Sequence, residues 1–282
     1  MENKKVWFVT GASKGLGLSL VKQLLSAGHH VAATSRTINA LNKAVGSEES
    51  ESFLPLEVTI TNEQSVKEAV LKTIDKFGTI DVLVNNAGYG LFGALEELSD
   101  EETRQNFDIN VFGSLNVIRQ ILPYMREKRS GKIFNISSVG GFRADFPGVG
   151  IYCSTKFAVA GFTEGLASEV KELGISATVV YPGYFRTDFL SNDSMAAPKN
   201  LIQDYATARA SIEAHEKQIA GNQPGDPEKA VAVLIKIASE EKPPVHLFLG
   251  KDAYEMANGK IEIVTGDLEK YKTLTVSTDF DS

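Results

Sequence analysis

Short apolar runs rich in β-branched residues alternate with longer runs of helical periodicity along most of this chain. Few folds accommodate that alternation. Val6 to Thr10, Val31-Ala32-Ala33-Thr34, Phe53-Leu54-Pro55-Leu56, Asp81-Val82-Leu83-Val84, Gly131 to Ile136 and Ile175 to Tyr181 read as six strands. Strands with so little polar alternation belong in a parallel sheet covered on both faces. Helical spacing fills the intervals. Leu16, Leu20, Val21, Leu24 and Leu25 form one apolar stripe. Val66, Val70, Ile74 and Phe77 form another, behind an Asn62 cap. Ser99-Asp100-Glu101-Glu102 reads as a capping box for a long helix running through Asn110 towards Met125. Asp226-Pro227-Glu228 opens a further helix, from Ala230 to Ser239. The pattern predicts a doubly wound α/β fold. The 282 residues fit one domain spanning 1–282, and no repeat or linker divides them.

The first strand runs into Thr10-Gly11-Ala12-Ser13-Lys14-Gly15-Leu16-Gly17, and a helix follows at once. Glycines there permit a tight turn and close approach to a pyrophosphate, which a helix N-terminus attracts. The spacing is G-x-x-x-G-x-G rather than the commoner G-x-G-x-x-G. At the end of the second strand, where an acidic residue would hold a ribose 2′-hydroxyl, stand Ser35 and Arg36. An arginine attracts a 2′-phosphate that an aspartate would repel, and Lys14 adds a second cation. These residues favour NADP(H) over NAD(H). Asn85-Asn86-Ala87-Gly88 ends the fourth strand, with amides able to fix neighbouring strands.

Composition removes other classes of function. A net charge of −7 argues against nucleic acid or an anionic membrane as partner. One cysteine, Cys153, excludes an intrachain disulfide, and four histidines without ligand spacing give no metal site. No signal-like or membrane-length apolar run is present, so a cytoplasmic protein is expected.

Tyr152 and Lys156 stand one helical turn apart. A fixed ammonium lowers the pKa of a nearby phenol, so such a pair can carry protons. Ser138 follows the fifth strand, where ligands of parallel sheets bind. Asn110 lies within an apolar helix face, where an amide needs partners.

Taken together, Thr10-Gly11-x-x-x-Gly15-x-Gly17, Asn85-Asn86-Ala87-Gly88, Asn110, Ser138, Tyr152-x-x-x-Lys156 and Pro182-Gly183-x-x-x-Thr187 resemble the short-chain dehydrogenase/reductase family. The likeness covers about residues 5–190, and the wording around Tyr89 and Tyr152 is similar to the steroid and retinol dehydrogenase branch. It implies a Rossmann-type sheet of seven parallel strands, the seventh at His246 to Leu249. It also implies roles. Tyr152 exchanges the proton at the substrate oxygen, Ser138 hydrogen-bonds that oxygen, and Lys156 tunes Tyr152 and holds the nicotinamide ribose. Asn110 anchors a water in the relay, and Thr187 contacts the carboxamide. The dinucleotide would lie against Gly11, Ser13, Lys14, Gly15, Leu16, Gly17, Ser35, Arg36, Glu57, Val58, Asn86, Ala87, Gly88, Tyr152, Lys156, Pro182, Gly183 and Thr187. Glu57 replaces the family's usual aspartate at the adenine. Ser138 and Tyr152 are 14 positions apart, one more than usual, which leaves Ser137 as a substitute for Ser138 and places a bulge near Phe142 to Phe146.

The expected activity is NADPH-dependent interconversion of a hydrophobic ketone or aldehyde with its alcohol. The alternatives are an NADP(H)-binding sensor without turnover and a different reaction, such as epimerisation, on the same scaffold. Tyr89, Phe92, Phe142, Tyr184 and Phe185 are expected at the substrate. Segment 188–222, helical from Leu201 to Ile219, is the expected lid, and 251–282 is an extension. The resemblance further implies a homodimer or homotetramer joined through the Asn110 and Tyr152 helices.

Overall fold

The computed structural model describes residues 4–190 and 195–280; the parts of the expected domain, lid and extension at 1–3, 191–194 and 281–282 lie outside the described residues. Seven strands form one parallel sheet. They are β1 (Val6–Val9), β2 (His30–Ser35), β3 (Phe53–Glu57), β4 (Val82–Asn85), β6 (Gly131–Ile136), β7 (Ile175–Pro182) and β9 (His246–Leu249), in the order β3-β2-β1-β4-β6-β7-β9. The order reverses between β1 and β4, which pair directly. A sheet of this kind opens its ligand crevice beyond the carboxyl ends of those two strands. Pro55 is tolerated because β3 is an edge strand and has pairing demands on one side only.

Successive strand residues point to opposite faces, and both faces are apolar. Trp7, Val9, Val31 and Ala33 pack under α1 (Gly15–Ser26) and α8 (Pro227–Ser239). Phe8, Ala32, Leu83 and Ile133 pack under α3 (Glu63–Phe77), α5 (Gly113–Lys128) and α6 (Gly150–Val170). The caps behave as their residues dictate. Asn62 accepts from the Ser65 N–H, Ser99 and Glu102 complete a capping box on α4 (Asp100–Phe107), and Asp226 caps α8 with Pro227 in its first turn.

Three elements depart from the sequence expectation. Helix α2 (Ile38–Val45), absent from the sequence reading, is a short helix that buries only Leu41. The long helix around Asn110 is broken by a π-turn, Asp108–Phe112, between α4 and α5. Helix α7 spans Ala206–Ala214 and runs into a second π-turn, His215–Ile219, so it begins five residues later than Leu201. Tertiary hydrogen bonds hold the chain before it out of the helix. The Ile202 N–H donates to Glu97 at 2.9 Å and the Tyr205 hydroxyl to Glu96 at 2.5 Å. The same segment adds a small parallel pair, β5 (Gly90–Leu91) with β8 (Met195–Ala196). Helix α9 (Lys251–Val276) packs through Ala253 and Ala257, and every residue from Ile261 to Val276 is exposed.

Candidate active site

A cavity of about 840 Å³ lies over the carboxyl ends of β1, β4, β6 and β7. At its first end the turn after β1 is stitched to the turn after β4. The Thr10 hydroxyl accepts from the N–H groups of Asn86 and Ala87, both at 3.0 Å. The Asn86 amide donates to the Thr10 and Gly11 carbonyls at 3.1 and 2.9 Å. Gly11 has φ +64°, and a Cβ there would stand 2.7 Å from the Ala87 Cα, so backbone and space both demand glycine. Helix α1 starts at Gly15 with no side-chain cap, so its dipole and first N–H groups are available to an anion. Gly11, Ser13, Lys14, Gly15, Leu16, Ser35, Arg36, Val58, Asn86, Ala87 and Gly88 all line the cavity, as do Pro182, Gly183 and Thr187 from the far side. Thr187 comes within 3.7 Å of where a Gly15 Cβ would be. Gly17 and Glu57 are not among the residues that line the cavity. Gly17 makes room for the Asn86 amide, and the Glu57 carboxylate accepts from the Ile38 N–H at 3.3 Å, at the start of α2.

The second end is built on α6. Tyr152 and Lys156 both line the cavity, with the Lys156 Nζ 5.8 Å from the Tyr152 ring centre. The ammonium donates to the Ile136 carbonyl at 2.9 Å, and burial pulls its pKa down to about 8. Burial pushes the Tyr152 phenol well above its ordinary value, against a hydrogen bond from Ser138 that lowers it. The expected lowering by lysine is therefore not found: burial dominates at the phenol, and Ser138 is what opposes it. Tyr152 stays protonated at neutral pH, which suits a proton donor.

The two candidate serines have different partners. Ser137 donates to the Lys156 carbonyl at 2.8 Å and secures α6 to β6. Ser138 lines the cavity, bonds Tyr152 and accepts from the Gly140 N–H at 3.0 Å. Asn110, 1% exposed, sits in the π-turn, a backbone irregularity frequent at functional sites. Its amide accepts from the Tyr89 N–H and donates to the Tyr89 carbonyl and the Thr155 hydroxyl, each at 3.0 Å. Asn110 thus ties the β4 turn to the helix carrying Tyr152. Gly88 allows this, because a Cβ there would meet the Asn110 Oδ1 at 2.9 Å.

Around Tyr152 the walls are apolar: Phe92, Phe146, Val149, Phe189, Leu190 and Met195. Tyr89, Tyr184 and Phe185 line the cavity as expected, but Phe142 does not. It packs edge-on against Tyr181 and Phe248, in a small core beside β7. Arg143 is paired with Asp145 and Arg186 with the Gln223 carbonyl, so neither cation faces the substrate end. Sequence reasoning missed three residues that shape this end. Asp252, in the first turn of α9, accepts from the Tyr184 N–H at 2.6 Å. Buried Glu97 holds the segment before α7, and His215 bonds Tyr184. No local motif marks them, since each acts across a long sequence separation. Among the described residues no cluster of side chains could hold a metal, and no helix is long and apolar enough to cross a membrane.

A sequence profile described as short chain dehydrogenase matches residues 5–197. A 3-ketodihydrosphingosine reductase of Bacteroides thetaiotaomicron is 38% identical over 247 residues, covering 87% of this chain and 88% of that protein. Among solved structures, a short-chain dehydrogenase from Streptomyces avermitilis superposes with a TM-score of 0.89 at 35% identity, over 99% of this chain and 100% of that one. ElxO with NADP bound superposes with a TM-score of 0.70 at 29% identity, over 87% of this chain and 96% of that one.

Proposed function

This chain belongs to the short-chain dehydrogenase family, and from that premise we propose that it is an NADP(H)-dependent reductase of a hydrophobic ketone or aldehyde, reversible as an alcohol dehydrogenase. The observation that carries the reading is convergence. Tyr152, Ser138 and Lys156 face the same cavity as the glycine loop, at the opposite end from Arg36. The first end fits a dinucleotide: an uncapped helix N-terminus for phosphates, Ser13, Lys14, Ser35 and Arg36 around the place of a 2′-phosphate, and Thr187 reaching towards Gly15. The bound cofactor supplies a hydride. Ser138 and Tyr152 hydrogen-bond the carbonyl oxygen, and Tyr152 gives it a proton. Lys156, while charged, favours departure of that proton. The apolar walls exclude water and favour a hydrophobic substrate, in keeping with the ketone that the Bacteroides relative's name denotes. Segment 188–222 is read as the lid. Exposed Phe112 and Phe157, on the Asn110 turn and α6, are the surface through which subunits of a homodimer or homotetramer would meet.

An NADPH-oxidation screen over ketones and aldehydes of graded size identifies a working substrate. With it, Tyr152→Phe is expected to lose at least about 100-fold in kcat, the usual worth of a positioned general acid, while still binding NADPH. A variant that turns over at the wild-type rate would rule out the mechanism.

A further inference from the structure

One polar pair interrupts the apolar half of the cavity, and the reaction as derived above does not use it. Tyr184 and His215 both line this cavity, and the Tyr184 hydroxyl lies 2.9 Å from the His215 Nε2. The other ring nitrogen, Nδ1, lies 2.7 Å from the Ser211 carbonyl. A carbonyl only accepts, so Nδ1 carries the proton of the neutral ring and Nε2 is left as an acceptor. Tyr184 must then donate to Nε2. Its proton is spent, and its oxygen retains acceptor lone pairs. The imidazole is further held by the Phe92 ring, with centres 5.5 Å apart. Tyr184 is fixed from behind by its N–H bond to Asp252. The pair is therefore oriented, in the same cavity as Tyr152.

We infer that the Tyr184 oxygen, oriented by His215, receives a hydrogen-bond donor on the substrate, so that the preferred substrate is a hydroxyl-bearing ketone or aldehyde rather than a plain hydrocarbon one. The donor taken here is a neutral one, a hydroxyl, because the Lys156 ammonium stands with Tyr152 at the reacting end of the cavity. Tyr184 acts here as a specificity residue and His215 as the positioning residue that fixes its proton. The inference rests on the reductase reading and narrows its substrate class. A pair that only stapled the β7 turn to the segment carrying α7 would leave substrate preference unmoved.

The test uses the full chain with NADPH and pairs of ketones of equal skeleton, one plain and one carrying a hydroxyl at graded distance from the carbonyl. The wild type is expected to favour the hydroxylated member by about tenfold in kcat/KM at the matching distance, the factor one neutral hydrogen bond supplies. Tyr184→Phe should bring that ratio to within about twofold of unity, with the change in KM. His215→Gln, which keeps an acceptor for Tyr184, should retain most of the preference and so guards against a folding defect in the first variant. A wild-type ratio at or below one for every distance, or a preference untouched by Tyr184→Phe, overturns the inference. If neither series turns over on protein that binds NADPH, the reductase reading falls on its own. The same pairs are then ranked by thermal shift of the NADPH-loaded protein. A hydroxyl preference lost in Tyr184→Phe upholds the subsite, and no preference overturns it.

Discussion

Lys156 shows how one buried side chain can set a pH dependence. Its Nζ donates to the Ile136 carbonyl, and burial brings its pKa down from the ordinary lysine range to about 8. On the proposed mechanism the ammonium, charged below about pH 8, would favour release of the Tyr152 proton, and above that pH the help would be lost. The kcat/KM for carbonyl reduction, followed from pH 6 to 10 at saturating NADPH, is therefore expected to decline as pH rises through about 8. A profile flat across that range would contradict the assignment. The same shift bears on stability with a definite sign. The unfolded chain holds this proton more tightly than the folded one, so the cost of burying the charge is full below about pH 8 and lifts as pH approaches the ordinary lysine value. Spacing alone made Tyr152 and Lys156 visible in the sequence, but the balance between them was not. Desolvation is a property of the site, and it reverses the expected direction at the phenol.

Among the elements, the segment from Met195 to Asn222 is held to the body in part by one buried carboxylate, Glu97. Glu97 is 2% exposed and accepts from the N–H groups of Ala94 and Ile202 at 2.8 and 2.9 Å and from Arg209 Nη1 at 3.1 Å. The Ile202 N–H is the chief reason its carboxyl stays below the usual range. Glu97→Ala leaves three donors unmatched, a loss of about 3 kcal/mol at this contact. The expected outcome is faster proteolysis between residues 198 and 205 and a KM about tenfold higher, with kcat less affected. Unchanged cleavage and unchanged KM would show that the contact does not hold the segment. In the wild type the sign is fixed too. A lowered carboxyl stabilises above the unfolded carboxylate pKa and loses that contribution as pH falls through the folded value, so cleavage should accelerate in acid. Here the sequence misleads by a few residues. Its periodicity carries a helix back to Leu201, but Glu96 and Glu97 capture Tyr205 and Ile202 first.

On the whole molecule, a net charge of −7 opposes an anionic cofactor, and Lys14 and Arg36 act against that field at one end of the cavity. Arg36 is exposed, so its contribution is a local attraction sensitive to salt. Arg36→Asp is expected to weaken NADPH binding by tenfold or more while changing NADH binding by less than about threefold, measured by cofactor fluorescence. Equal losses for both cofactors would remove the 2′-phosphate argument. Much of the architecture was legible beforehand. Strand order along the chain, the glycine turn, the caps at Asn62, Ser99 and Asp226, and the places of Asn110, Ser138, Tyr152 and Lys156 are written in short-range periods and spacings. Each of those signals lies within about a dozen neighbouring residues. The tertiary structure alone decided that Ser138 rather than Ser137 meets Tyr152, that Phe142 turns away from the cavity, and that Glu97, His215 and Asp252 shape the substrate end. The physical reason is distance along the chain. Glu97 meets a residue 112 positions away, Tyr184 one at 31 and another at 68, and burial and hydrogen bonding at such separations exist only once the sheet has brought the strand ends together.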